Sequence, residues 1–124
     1  TYMNSPQLLN NKFNLNADKR FYFAGQMTGV EGYVESAASG LMAGLHAARE
    51  ALGLEVVEFP AETAHGALAN YISNPAVKEF QPMNINFGLI PPLTQRIRKK
   101  REKNAMIAAR ALEVLDVVKA KYEL

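Results

Sequence analysis

Phe21-Tyr22-Phe23-Ala24-Gly25-Gln26-Met27-Thr28-Gly29-Val30-Glu31-Gly32-Tyr33 is an aromatic run, then a glycine-punctuated loop, then the start of a periodic apolar segment. Phe21 to Ala24, bounded by Lys19-Arg20 and Gly25, has the composition of a short buried strand. From Tyr33 to about Leu52, the residues Val34, Ala37, Ala38, Leu41, Leu45 and Ala48 recur at three- and four-residue steps. That spacing predicts one helix, stopped by Gly53, whose glycine-bearing face would be exposed in this chain alone. In α/β sheets, the loop between a strand's carboxyl end and the next helix is where ligands bind. Glycines let the backbone approach a ligand closely, and a helix start offers free N–H groups and a positive dipole end. The candidate ligand-binding residues are therefore Gly25, Gln26, Gly29, Val30, Glu31, Gly32 and Tyr33.

A plainer reading of the same loop stays open. Thr28 and Glu31 have capping-box spacing and would then cap the helix reciprocally while the glycines only turn the chain. The loop matches neither Gly-x-Gly-x-x-Gly nor Gly-x-x-x-x-Gly-Lys-Ser/Thr, so it is not by itself a phosphate-binding motif. Gly40 and Gly44 lie four apart on one face of the helix, each costing roughly 1 kcal/mol relative to alanine. Their presence calls for a close neighbour on that face.

Around this centre the chain divides into four stretches. Residues 1–20 are polar and asparagine-rich, with a turn at Ser5-Pro6, and read as an irregular arm or short hairpin. Residues 21–53 are the strand, loop and helix. Residues 54–93 hold a brief extended piece at Glu55–Phe59 and a second helix from about Ala61 to Ser73. From 76 onward they read as an irregular run punctuated by Pro82, Gly88, Pro91 and Pro92. Residues 94–124 read as a last helix from near Thr94 toward Tyr122, with the apolar stripe Ile107, Ala111, Val114, Leu115, Val118 and Tyr122. The expected chain is mostly α, with one clear short strand and long irregular segments. One strand cannot make a sheet, so its partners are expected outside these residues.

The 124 residues are enough for one domain, and 48% apolar with 21% charged is the composition of a folded chain. No apolar run approaches a membrane span, and the first residues carry no secretory pattern, which makes the cytoplasm the expected compartment. The lack of an initiator Met suggests a piece of a longer protein. With no cysteine, the chain holds no disulfide, no thiolate metal site and no cysteine nucleophile. His46 and His65 are expected to pack or cap, and no metal site is expected. Met27, Met42, Met83 and Met106 are expected to fill the core. The net charge of +2 hides a local +5 at residues 96–103, where Arg96, Arg98, Lys99, Lys100, Arg101 and Lys103 meet one acid. The other residues carry eight basic and eleven acidic groups. The run is either a solvated helix start or a phosphate-contacting patch. Asn84 and Asn86 alternate with Ile85, so in extended chain both amides would face one side, as a heterocycle-reading pair or as packed loop.

The stretch Phe23-Ala24-Gly25-Gln26-Met27-Thr28-Gly29-Val30-Glu31-Gly32-Tyr33-Val34-Glu35-Ser36-Ala37-Ala38-Ser39-Gly40-Leu41 resembles the C-terminal part of the TrmFO family. These are FAD- and folate-dependent tRNA (uracil-5-)-methyltransferases related to the GidA/MnmG flavoproteins. The resemblance continues through Phe59-Pro60-x-Glu62-Thr63-Ala64-x-Gly66-Ala67-Leu68 and Phe80-Gln81-Pro82-Met83-Asn84-x-Asn86-Phe87-Gly88-Leu89. It implies an α/β parent with a Rossmann-like FAD/NAD(P)-binding fold, which these residues would help to complete. The implied reaction methylates C5 of a T-loop uridine with carbon from methylenetetrahydrofolate and electrons from NAD(P)H through FAD. The implied partners are tRNA and the remainder of the parent chain, with self-association of the piece alone and no membrane. The family's dinucleotide loop and catalytic cysteine have no counterpart here, so this chain is expected to hold no catalytic residue. Gly25-Gln26 falls where related flavoproteins carry a Gly-Asp that binds the ribityl chain, and Gln adds no charge there. Asn84 and Asn86 would face folate or flavin, and the six cations would face tRNA. The competing class is a stand-alone nucleic-acid-binding or assembly module built on the basic run and the last helix.

Overall fold

The computed structural model describes residues 1–124. Pro6, with φ already set for a helix start, opens the one-turn helix α1 (Ser5–Leu8). The chain then doubles back through an antiparallel bridge between Leu9 and Leu15, as a hairpin-like arm. Leu9 and Phe13 are enclosed at its centre. Phe13 sits at φ 67°, a left-handed conformation that a bulky residue adopts only when its surroundings impose it.

The expected buried strand at Phe21–Ala24 contracts to one antiparallel bridge, Asn14 to Tyr22. Phe21 is 52% exposed. Leu15 N donates to Phe21 O and Phe23 N to Phe13 O, so one edge of the run is satisfied by the arm and the other meets no strand. Next come a 3₁₀ turn at Gly25–Thr28 and α2 (Tyr33–Ala51), close to the expected bounds.

The buried face of α2 lies beside the apolar stripe, not on it. It is Ser39, Met42, Ala43 and His46, while Val34, Ala37, Leu41 and Ala48 are exposed. Two polar residues enter the interior; Ser39 is satisfied there, whereas the buried Nδ1 of His46 has no hydrogen-bond partner in this chain. Ser39 Oγ accepts from Gly25 N at 2.8 Å and donates to Ser36 O at 2.7 Å. His46 packs edge-on to Phe59, ring centroids 6.1 Å apart. Gly40 and Gly44 meet no neighbouring atom of this chain.

Helix α3 (Ala64–Ser73) starts three residues later than expected, because Thr63 is its cap and accepts from Gly66 N at 2.9 Å. Its Leu68, Ala69 and Ile72 join Leu9, Phe13, Val30, Met42 and Ala43 in the main core. Full burial of a large apolar side chain such as Ile72 contributes roughly 1.5–3 kcal/mol. The next segment is irregular as expected, apart from a parallel bridge between Val30 and Met83 and a 3₁₀ turn at Phe87–Leu89. Of the four methionines expected inside, Met42 is buried, while Met27 and Met106 are 47% and 44% exposed.

Helix α4 (Lys100–Tyr122) starts six residues beyond the expected Thr94. Clustered cations repel one another and oppose the positive end of a helix dipole. Helix nevertheless begins inside the cation run, with Glu102 the one acid beside Lys100, Arg101 and Lys103 in the first turn. The expected stripe holds: Ile107, Val118 and Tyr122 are buried, with Ala111, Val114 and Leu115 partly so. Val118 and Tyr122 close a second small core with Val57, Leu45 and Phe59. Arg110 ties the irregular segment to α4, donating from Nη1 to Pro92 O at 3.2 Å and from Nη2 to Pro91 O.

Candidate functional site

Two pairings fix the glycine loop. Met83 N donates to Gly29 O at 2.9 Å and Glu31 N to Met83 O at 3.1 Å, which lays residues 80–85 along the loop. Thr28 is buried beneath it, its hydroxyl donating to Gly25 O at 2.7 Å. The capping box therefore does not form: Gly32 precedes α2 at φ 96°, and no side chain caps the helix. The first amides of α2 are left open toward solvent, where its dipole favours negative charge.

Beside that helix start lies an open cavity of about 330 Å³, lined by Gln26, Val30, Glu31, Gly32, Tyr33, Ser36 and Asn84. Five of the seven loop residues singled out in the sequence line it, and Asn84 joins them from the other segment. Ser36 was missed. Its signal was its place three residues after Tyr33, on the same helix face.

The remaining candidates sit elsewhere. Gly25 N is engaged by Ser39, and Gly29 is buried under the Phe80 ring, where a Cβ would come 2.3 Å from ring carbon. Both shape the loop without lining the cavity. Asn86 is also outside it. Its Oδ1 accepts from Gly88 N at 2.9 Å and its Nδ2 donates to Asn84 O at 3.2 Å, so its amide is spent on the 3₁₀ turn. The two asparagines do not form a pair. Tyr33 is 98% exposed, so its ring stands free at the rim.

Asn84 Nδ2 donates to Glu31 O at 3.1 Å and to Glu35 Oε1 at 3.4 Å. Gly32 makes room for this pair: a Cβ there would lie 2.1 Å from Glu35 Oε2 and 2.6 Å from Asn84 Nδ2. A side chain there would have to displace the ends of Glu35 and Asn84, and the positive φ disfavours any residue but glycine.

A second, more apolar groove of about 370 Å³ lies on the far side of Glu35, between α2 and α3. His65 lines it, stacked on Phe59 at 5.3 Å, and burial holds its imidazole pKa below the ordinary value. His46 is enclosed, and desolvation pushes its pKa down to about 4, with Lys12 adding to the effect and Glu58 opposing it. Both histidines therefore pack as neutral rings. No group of three or more His, Cys, Asp or Glu side chains gathers where a metal could be held.

The cations occupy a separate surface. Lys100, Arg101 and Lys103 fall on the first turn of α4, Lys99 stands just before it without capping it, and Arg96 and Arg98 lie further upstream in irregular chain. They are therefore not wound around one helix as expected. Lys99 makes one loose ion pair with Glu102 at 4.0 Å, and all six cations lie on exposed or half-exposed positions. No helix is long and apolar enough to cross a membrane.

A glycine loop and an uncapped helix start thus surround an open polar cavity. Residues 1–55 match the family model described as Glucose inhibited division protein A. More particularly, the chain is related to proteins named methylenetetrahydrofolate–tRNA-(uracil-5-)-methyltransferase TrmFO. It is 56% identical to the one from Lactiplantibacillus plantarum over 96% of this chain and 27% of the relative. It is 57% identical to that of Enterococcus faecalis over 92% of this chain and 26% of the relative. It is 50% identical to that of Lactobacillus johnsonii over 100% of this chain and 28% of the relative. The chain thus spans about a quarter of the length of these relatives.

Proposed function

We propose that this chain is part of a tRNA (uracil-5-)-methyltransferase that methylates C5 of a T-loop uridine. In this reading the parent is an FAD-binding Rossmann-like protein of the cytoplasm, the methyl carbon comes from methylenetetrahydrofolate, and NAD(P)H is the reductant. The observation that carries it is the identity of 50–57% to TrmFO proteins over nearly the whole chain.

The chain would supply one edge of the flavin site. The residues suit that role. Gly32 gives a backbone approach that a Cβ would fill, and a cavity of about 330 Å³ takes the end of a ring system rather than a whole dinucleotide. Gln26, Glu31, Gly32, Tyr33, Ser36 and Asn84 would surround it. The flavin, when bound, supplies the electron-transfer chemistry. This chain's share is to place the ring and bias its charge, and an open helix start favours an anionic edge by about 0.3–1 kcal/mol, rising to ~2 when partly buried. The basic segment would meet tRNA.

The test uses the full-length parent. It is expected to purify yellow and to transfer a folate-derived methyl group to tRNA, whereas Gly32→Val, strained at its positive φ, is expected to lose more flavin than its loss of helix content accounts for. A colourless parent, or a Gly32→Val variant with full flavin content, would remove this chain from the flavin site.

A further inference from the structure

We propose that Glu35 is a positioning residue. It locks the Asn84 carboxamide so that Oδ1 faces the cavity and accepts a hydrogen bond from a ring N–H of a planar heterocycle. This rests on the flavin reading above and adds to it a residue that contacts the ligand only through another.

The orientation follows from the partners. Asn84 faces the Glu31 carbonyl at 3.1 Å and the Glu35 carboxylate at 3.4 Å. Both are acceptors, so only the amide nitrogen can satisfy them. A flipped amide would set its oxygen against two oxygens and lose both bonds. With both Nδ2 protons committed, Oδ1 is the polar atom left for the cavity that Asn84 lines. The backbone on each side is already fixed by the Gly29–Met83–Glu31 pairings.

Glu35 is free to do this. It forms none of the ion pairs in the chain, which are Lys12–Glu58, Arg20–Asp18, Lys99–Glu102 and Lys119–Asp116. It stands in the first turn of α2, where a carboxylate is favoured. Gly32 keeps the space that the Glu35–Asn84 pair occupies. The complement of a lone, fixed acceptor is a donor, which is what the imide N–H of a flavin pyrimidine ring offers.

The experiment titrates the full-length apoprotein with FAD and with FAD methylated at the imide nitrogen, following flavin fluorescence. The wild type should prefer FAD by roughly three- to tenfold, the worth of one hydrogen bond. Glu35→Ala keeps the Asn84 side chain and its bond to the Glu31 carbonyl but removes the second acceptor, so the preference should fall in part. Asn84→Ala should lose it altogether. Glu35→Gln, whose Oε1 still accepts from Asn84 Nδ2, should keep the preference. An unchanged preference in Glu35→Ala overturns the positioning role, even if Asn84→Ala loses it. Equal affinity of the wild type for both flavins overturns the acceptor assignment. Binding of neither flavin by the wild type overturns the flavin reading itself, a result distinct from the other two.

Discussion

His46 shows how one side chain couples packing to pH. Enclosure beside Phe59 holds its pKa near 4, against 6.5 in an open chain. Above pH 6.5 the ring is neutral in both folded and unfolded states, and stability is at its full value. Between 6.5 and 4 the unfolded chain takes up a proton that the folded chain refuses, so stability falls as the pH falls. Below 4 both forms are protonated and the loss levels off, at roughly 3 kcal/mol at most. Urea unfolding of the chain at one fixed concentration from pH 7 to pH 4 should show this decline. His46→Gln should flatten most of it, leaving a smaller slope of the same sign from His65, whose pKa is also depressed by burial. A profile for His46→Gln parallel to that of the wild type would assign the decline elsewhere. That His46 packs was legible in the sequence. That it marks the core face of α2 was not, because a polar ring does not register in an apolar pattern.

Among the elements, extent was easier to read than orientation. The periodicity of residues 33–52 gave the length of α2, but its inward face holds Ser39 and His46, whose hydrogen bonding and packing only the fold discloses. The candidate cavity was legible where it depends on the glycine loop, through Gln26, Val30, Glu31, Gly32 and Tyr33. It was illegible where it depends on a turn 50 residues away: Asn84 lines the cavity, while Asn86, expected to pair with it, does not. The start of α4 was misplaced because propensity alone ignores repulsion among six cations. Those cations keep a surface role open. If they meet tRNA phosphates in the parent enzyme, replacing Lys99, Lys100 and Lys103 by Gln should reduce the slope of log affinity against log salt by roughly 2–3 units. The flavin content should not change, since none of the three lines the cavity. An unchanged slope would mean that these side chains face protein, not nucleic acid.

At the scale of the whole molecule, much of the apolar stripe of α2 remains outside. Tyr33, Val34 and Leu41 are 98%, 80% and 68% exposed, and Gly40 and Gly44 lie among them with no atom of this chain nearby. Leu112 and Val117 on α4 are 64% and 68% exposed. Such a face carries a cost in water that a folded protein ordinarily removes by contact. The relatives are nearly four times as long, so we infer that the rest of the parent chain covers it there. The two glycines then have a purpose, since a helix without side chains along one stripe lets another backbone approach closely. Alone, this chain should bury the same face against copies of itself. Sedimentation is expected to show concentration-dependent association. Val34→Lys with Leu41→Lys, both on the exposed stripe and neither in the core, should shift the chain toward monomer without loss of helix content. In the full-length parent the same pair should instead destabilise the fold, because there it would place two charges in a closed contact. A cooperative monomer for the unaltered chain, or a parent indifferent to both substitutions, would show that the stripe meets solvent in every context and that its glycines receive no neighbour.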